Sequence, residues 1–252
     1  MKRLFNGFFM SLSMFSIIPS PRIWDNKAFN LVIPALPIVG MIIGSLWCGL
    51  AYALVYLKIP LLLRAALIFL LPLILSGFIH VDGYMDTSDA IFSRAELAKK
   101  RNILKDSYVG AFAVIMLCIY LLLGFTSLYS VLETGINFII FIFIPVLSRS
   151  LAGVTLLIVK PFSTSGFGAT FRQNTKVYHT TIVLCFSALS GLCTYWFGGI
   201  TMVYALIALV LGGIVASIYV VKQFDGISGD LCGFIIVVSE LSALIALATF
   251  SS

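Results

Sequence analysis

The sequence predicts an all-α integral membrane protein, a polytopic helical bundle in a single domain that covers residues 1–252. Of its residues, 61% are hydrophobic and only 10% are charged, and the mean hydropathy is +1.11. A soluble domain carries about 25% charged residues, so this composition excludes that class. The apolar runs are near ~20 residues long and do not alternate as barrel strands do, which indicates helical spans.

About seven transmembrane helices are predicted, preceded by a short N-terminal helix. That first helix, residues 4–18, is short for a crossing and ends before Pro19 and Pro21, so an interfacial or re-entrant helix is predicted, with a full span as the alternative. The predicted spans are residues 33–57, 60–80, 109–132, 136–159, 178–197, 201–221 and 233–250.

Glycine, proline and charge patterns distinguish the individual spans. The first contains Gly40 and Gly44, a Gly-x-x-x-Gly spacing that allows close helix packing. The second carries Arg64 and ends at His80. The fifth and sixth are joined by a tight turn at residues 197–199, which contains two glycines.

Positively charged loop residues fall almost entirely on one side of the predicted membrane. If crossings alternate, eleven Lys and Arg residues lie in the loops of one side, against Lys58 alone on the other. Lys and Arg concentrate in cytoplasmic loops, so the basic side is predicted to be cytoplasmic. The eleven residues are Arg22, Lys27, Arg94, Lys99, Lys100, Arg101, Lys105, Lys160, Arg172, Lys176 and Lys222.

The strongest candidate site lies where the second span ends. Asp82, Asp86 and Asp89 are three of only ten acidic residues, and they fall within eight positions. Their i, i+4 and i, i+3 spacing places them on one face of a helix, where like charges repel unless a cation lies between them. Oxygen ligands suit Mg²⁺ shared with substrate phosphates. With His80 beside them, they predict a phosphoryl-transfer site; the alternative is a solvated helix start.

Two further polar segments lie at the same predicted membrane face. Lys105, Asp106 and Ser107 precede the third span, either as a loop charge pair with a cap or as a helix start that receives phosphate. Ser228 and Asp230 lie among glycines between the last two spans. This indicates close approach of the backbone to a ligand, or a flexible hairpin.

Three more charged residues complete the candidate set. Arg172 ends a Ser/Gly-rich loop and could meet a phosphate, although membrane orientation explains it equally well. Arg149 and Glu240 lie inside spans, where a charge is costly without a partner. We expect the two to pair; otherwise Glu240 faces the substrate cavity.

Four motifs, in order, resemble those of the cobalamin synthase family, the adenosylcobinamide-GDP ribazoletransferases. They are His80-x-Asp82-Gly83-x-x-Asp86-Thr87-x-Asp89, Lys105-Asp106-Ser107-x-x-Gly110, Gly166-x-Gly168-Ala169-x-Phe171 and Gly226-x-Ser228-Gly229-Asp230-x-x-Gly233. With Pro37-x-x-Gly40-x-x-x-Gly44 they cover almost the whole chain.

The resemblance implies an activity and a location. The family joins adenosylcobinamide-GDP to α-ribazole or its 5′-phosphate, releases GMP and forms adenosylcobalamin or its 5′-phosphate. It implies Mg²⁺ as cofactor and the bacterial inner membrane as location, with a cytoplasmic active face. The expected partners are the two small-molecule substrates and membrane lipid, without nucleic acid; the oligomeric state stays open, a homo-oligomer included.

Residue roles follow from combining the motifs with the resemblance. We expect Asp82, Asp86 and Asp89 to hold Mg²⁺ on the diphosphate of the activated corrinoid, and His80 or one aspartate to take the proton of the attacking hydroxyl. The corrinoid is expected in a cavity between spans. The candidate substrate-binding residues are Lys105, Asp106, Ser107, Arg172, Ser228, Asp230 and Glu240.

Two other classes of membrane protein share some of these features. A phospholipid-type alcohol phosphotransferase has clustered aspartates in the pattern Asp-x-x-Asp-Gly-x-x-Ala-Arg, but here Gly83 follows the first aspartate and Ala-Arg is missing. A secondary transporter would place its carboxylates near the bilayer midplane in broken helices of paired halves. Most acidic residues here lie at one predicted face, and the sequence shows no paired halves.

Overall fold

A computed structural model describes residues 2–162, 170–171 and 175–250, and within these ranges every regular element is helical. The helices are α1 (Lys2–Phe15), α2 (Val32–Tyr56), α3 (Leu61–Leu75), α4 (Ile79–Phe92), α5 (Leu97–Ile103), α6 (Ala111–Glu133), α7 (Ile140–Ile158), α8 (Val177–Phe224) and α9 (Gly229–Phe250). A 3₁₀ helix at Asn26–Leu31 leads into α2.

The long apolar helices confirm an all-α polytopic membrane protein. Among the described residues, five helical segments are long and apolar enough to cross a membrane: α2 with its 3₁₀ turn, α6, α7, α8 and α9. The number becomes six if the bent pair α3 and α4 forms one span. The count of seven spans therefore stays a prediction.

One difference from that count comes from α8, which contains two predicted spans. Its 48 residues would extend about 72 Å if straight, more than twice the ~30 Å hydrocarbon core. Gly199, at φ 70° and ψ −168°, breaks the helix at the predicted tight turn.

Contacts at three points of α8 show that it folds back on itself. His179 lies 3.4 Å from Asn30, at the start of α2. Phe197 accepts a hydrogen bond from Asn137, which also accepts one from Tyr52 near the end of α2. Phe224, at the end of α8, returns to the buried cluster that contains the residues before α2. The two halves of α8 therefore run in opposite directions along the bundle.

The predicted second span, 60–80, is wrong in its boundaries. Helix α3 has 15 residues, about 22 Å, which is short of a full crossing. Gly77 and Phe78 both adopt left-handed backbone angles, at φ 64° and 61°, and the chain bends by 87° there. The acidic segment forms a helix, as its spacing indicates; this helix, α4, buries Tyr84 and Thr87 among other residues and packs against α6 and α9.

Helix α1 matches the prediction of a short N-terminal helix that is not a full span. Its 14 residues would extend about 21 Å, and it packs along the start of α2. Arg3 donates to Asn30 at 2.8 Å and Asn6 donates to Asp25 at 2.8 Å. The hydrogen bond from Asn6 lowers the pKa of Asp25, which also caps the 3₁₀ helix.

The core is centred on α7, which packs against α2, α8 and α9. The predicted glycine spacing in α2 is confirmed as a close helix contact. A Cβ atom at Gly40 would lie 2.5 Å from the carbonyl oxygen of Pro145, and one at Gly44 would lie 2.6 Å from that of Ile142. Apolar side chains gain little by moving from lipid into a helix contact. Close packing of helix backbones at small residues therefore contributes to the association of membrane helices.

Gly44→Ala should lower the melting temperature of the purified protein. The added Cβ would overlap backbone atoms of α7, and overpacking of this kind costs about 1–3 kcal/mol. This exceeds the ~1 kcal/mol that alanine gains over glycine within a helix. Gly49→Ala on the same helix is the matched control, because nothing lies within 4 Å of its Cβ position. It should leave the melting temperature equal or higher; equal melting temperatures for both variants would contradict the contact.

Candidate functional site

The site is built where α4 crosses the start of α9 with their backbones in contact. A Cβ atom at Gly83 would lie 2.7 Å from the carbonyl oxygen of Asp230. One at Gly233 would lie 2.9 Å from the carbonyl oxygen of His80. Two glycines, one on each helix, therefore allow the crossing. The glycines around Ser228 and Asp230 were predicted to allow close approach of the backbone to a ligand. At Gly233 the close approach is to another helix.

This crossing brings four carboxylates together. Asp86 lies within electrostatic range of Asp82, Asp89 and Asp230, and Asp82 also lies within electrostatic range of Asp230. None of the four forms a salt bridge with a lysine or arginine of the described residues. Four aspartates from two helices thus share one region without a neutralising partner, an arrangement that favours a cation.

The donor chemistry fits Mg²⁺ shared with a ligand rather than a complete protein cage. Within residues 2–162, 170–171 and 175–250, no three His, Cys, Asp or Glu side chains converge closely enough to hold a metal ion by themselves. Mg²⁺ is usually bound by one or two carboxylates, with water and substrate phosphates completing its octahedron. The oxygen-only set of four aspartates meets that requirement.

The start of α6 differs from the prediction. Gly110, and not Ser107, is the N-terminal cap of this helix. A Cβ atom at Gly110 would lie 2.0 Å from Oδ1 of Asp89, so the carboxylate lies directly against the helix start. The positive end of the α6 dipole therefore faces Asp89. Ser107 is exposed in the preceding turn, where Asp106 accepts a hydrogen bond from the backbone of residue 108 at 3.2 Å.

Beside the carboxylates, the described residues line an open cavity of about 620 Å³. Four predicted site residues line it: His80, Lys105, Ser228 and Asp230. Asp230 belongs to both the cavity wall and the carboxylate group, whereas the three aspartates of α4 do not line the cavity. The remaining lining is mostly apolar.

The polar groups of the cavity wall differ in how they are held. Ser228 caps α9 by accepting from the backbone N–H of Leu231 at 3.4 Å and approaches Asp230 at 3.5 Å. His80 is 8% exposed, and its Nε2 has no hydrogen-bond partner among the described residues. A buried polar atom without a partner is destabilising, so a ligand that supplies one gains affinity.

Arg172 lies outside the described residues, and its predicted role stays a prediction. Sequence reasoning missed the aromatic lining of the cavity, which includes Phe15, Trp24 and Phe162. Phe15 and Phe162 lie near the ends of apolar runs, and Trp24 lies in the polar segment between α1 and α2. No local pattern distinguishes them from aromatic residues that face lipid.

The chain matches a family model over nearly its whole length. The model is described as "Cobalamin-5-phosphate synthase" and covers residues 7–248. The chain belongs to the cobalamin-5-phosphate synthase family.

Curated proteins similar to this family member carry one name, adenosylcobinamide-GDP ribazoletransferase. The protein of Clostridium perfringens (strain 13 / Type A) is 37% identical over 248 residues, which cover 98% of this chain and 99% of the relative. That of Clostridium botulinum (strain Alaska E43 / Type E3) is 38% identical over the full length of both chains. That of Geobacillus thermodenitrificans (strain NG80-2) is 35% identical over 94% of this chain and 92% of the relative. No solved structure matches the chain.

In this member of the cobalamin-5-phosphate synthase family, the predicted pair of buried charges is confirmed. Arg149 Nη1 donates to Glu240 Oε1 at 2.8 Å, and the Ser148 hydroxyl donates to the same oxygen at 2.7 Å. Arg149 is 1% exposed, and its Nη1 also donates to the carbonyl oxygen of Pro145 at 3.3 Å. Glu240 does not line the cavity described above. It joins α7 to α9 inside the bundle.

Glu240→Gln and Arg149→Gln should each lower the melting temperature, whereas the double variant should recover part of the loss. Removing one partner leaves the other charge buried and unpaired, which costs about 3–5 kcal/mol. Thermal unfolding of the three variants in one detergent gives the coupling energy. Simple additivity of the two single effects would argue against the ion pair.

Proposed function

We propose that the protein is an adenosylcobinamide-GDP ribazoletransferase. It joins adenosylcobinamide-GDP to α-ribazole or its 5′-phosphate, releases GMP and forms adenosylcobalamin or its 5′-phosphate. The observation that carries the proposal is the crossing of α4 and α9, which gathers four aspartates beside a cavity lined by His80 and Lys105. The names of relatives 35–38% identical over at least 92% of both chains support it.

Asp82, Asp86, Asp89 and Asp230 are the residues that would hold Mg²⁺ beside the diphosphate of the activated corrinoid. Asp82 is exposed, and Asp86 and Asp89 are half-buried, so the carboxylates are open to a ligand. When bound, Mg²⁺ offsets the charge that develops on the bridging oxygen as GMP leaves. Lys105, exposed at the cavity rim, contributes a positive charge to the phosphate oxygens.

The attacking hydroxyl of α-ribazole approaches from the cavity side. It forms a new bond to the corrinoid-side phosphorus, and the phosphoanhydride bond to GMP breaks. Of the groups that could accept the hydroxyl proton, His80 is a cavity-lining group with a ring nitrogen that lacks a partner among the described residues. We therefore assign proton transfer to His80 rather than to the aspartates of α4.

The protein lies in the bacterial inner membrane with this site facing the cytoplasm. The support is the asymmetry of eleven loop cations against one, together with the position of the acidic crossing on the basic side. A transporter would need carboxylates near the bilayer midplane. Glu240 lies in the middle of a described span, but it is paired with Arg149. It therefore does not offer a free carboxylate to a transported ion.

Asp82→Asn, Asp86→Asn and Asp89→Asn should each lower turnover about 10²-fold or more while the protein still inserts and folds. Because the carboxylates act as one unit, a double variant should lose little more than a single one. The assay incubates purified protein with adenosylcobinamide-GDP, α-ribazole and Mg²⁺ and measures GMP and the corrinoid product. Chelation of Mg²⁺ should abolish product formation.

The matched control for these variants is Asp225→Asn. Asp225 lies at the same end of the bundle, but its carboxylate is exposed and 3.8 Å from Arg101, outside the group of four aspartates. Its turnover should stay within about twofold of wild type, since a surface ion pair contributes little. Near wild-type turnover in any two of the three single variants would remove the metal assignment. No turnover by the wild-type protein would remove the proposed function.

Single cysteines at Ser93 and Glu133, each in a background without the five native cysteines, should react with impermeant reagents from opposite sides. Both positions are exposed, at the ends of α4 and α6. Position 93 should be labelled only from the cytoplasm and position 133 only from outside. Labelling of position 93 from outside intact cells would overturn the orientation and the proposed route of the substrates.

A further inference from the structure

The cavity beside the carboxylates has two chemically different ends. One end is aromatic and apolar, and the rings of Phe15 and Phe171 there lie 6.3 Å apart. Trp24 adds further aromatic lining at this end, because its ring lies 5.0 Å from that of Phe29, which lies 5.9 Å from that of Phe171. Flat rings of this kind provide surfaces against which a heteroaromatic ring stacks or packs edge to face.

The other end is polar and adjoins the reacting centre. It carries His80, Ser228 and Asp230, with Lys105 at the rim. The backbone of Asp230 contacts Gly83 of α4, so this end adjoins the helix that carries Asp82 and Asp86, where the diphosphate is placed. A ligand with one flat apolar end and one hydroxylated end matches both ends at once.

The volume of the cavity suits the smaller of the two substrates. Its volume of about 620 Å³ lies within the ~300–1,000 Å³ range typical of sites for single small molecules. A benzimidazole nucleoside fits such a volume. A corrin macrocycle that carries an adenosyl group and guanosine diphosphate is several times larger than a nucleoside. The guanine of the donor would also leave its polar edge against an apolar wall, which is unfavourable.

We propose that this cavity is the binding site of the acceptor nucleoside, with the base of α-ribazole among the aromatic residues and its sugar at the His80 and Asp230 end. This assignment rests on the proposed function and adds the location of the acceptor's binding site. The donor then binds outside the cavity, at the carboxylates and the cytoplasmic surface. The sugar hydroxyl reaches the diphosphate across Asp230.

The test narrows the cavity without touching the carboxylates. Met14 lines the cavity from α1 and is half-buried, so Met14→Trp fills space at the aromatic end. Its neighbour Ser13 is exposed and does not line the cavity, so Ser13→Trp introduces the same side chain on the same helix as a control. Calorimetry measures binding of α-ribazole alone to the purified full chain, and steady-state kinetics give KM for each substrate.

Met14→Trp should raise the Kd and KM for α-ribazole about tenfold or more, while the KM for adenosylcobinamide-GDP changes less than about twofold. Ser13→Trp should match wild type for both ligands. Leu156→Phe fills the cavity from α7 and should have the same effect. It replaces Met14→Trp in the test if that variant does not fold. A raised KM for the corrinoid with unchanged α-ribazole binding would overturn the assignment, as would unchanged values for both.

The two proposals fail in different ways. Wild-type protein that binds α-ribazole, loses that binding in Met14→Trp and forms no product contradicts the function alone. Wild-type protein that turns over while both cavity variants keep normal α-ribazole binding contradicts the cavity assignment alone. Wild-type protein that binds the corrinoid and shows no binding of α-ribazole also overturns the assignment.

Discussion

The site depends on one constraint, the contact of two helix backbones at Gly83 and Gly233. In lipid the hydrophobic effect does not draw helices together, so helix contacts depend on close packing of small residues. Here that packing works against electrostatics, because it brings Asp230 of α9 next to the aspartates of α4. The glycines hold a geometry that the repelling charges alone would open. A bound cation would relieve this repulsion, so the geometry of the site would depend on its ligand.

Helix α9 is also fixed deeper in the bundle, by an ion pair instead of a backbone contact. At its N-terminal end the interaction is backbone contact; in its interior it is the ion pair of Glu240 with Arg149, 2.8 Å apart. A buried charge without its partner is costly, so the pair specifies which faces of α7 and α9 meet. The two fixed points set both the position and the rotation of α9. Asp230 is thereby aimed at α4 without any salt bridge of its own among the described residues.

Much of this arrangement could be predicted from composition and spacing. Apolar runs identify the membrane class, the spacing of Gly40 and Gly44 predicts a close contact, and charges inside spans predict a pair. The bend between α3 and α4 could not be predicted, because hydropathy averages over Gly77 and Phe78 and carries no information on their left-handed angles. The cap of α6 could not be predicted either, because a serine near a helix start is a common cap, whereas the cap is Gly110 and the position of Asp89 against it depends on tertiary packing.

Asp230 lies between the cavity and the carboxylate surface, and these two parts of the site suit different substrates. A mostly apolar cavity strengthens hydrogen bonds to a small acceptor. An exposed carboxylate surface suits a large, charged donor that could not enter between helices. On this assignment, the membrane bundle needs no cavity of corrinoid size. The protein has to enclose only the nucleophile, while the donor's diphosphate is fixed at the helix crossing that closes the cavity.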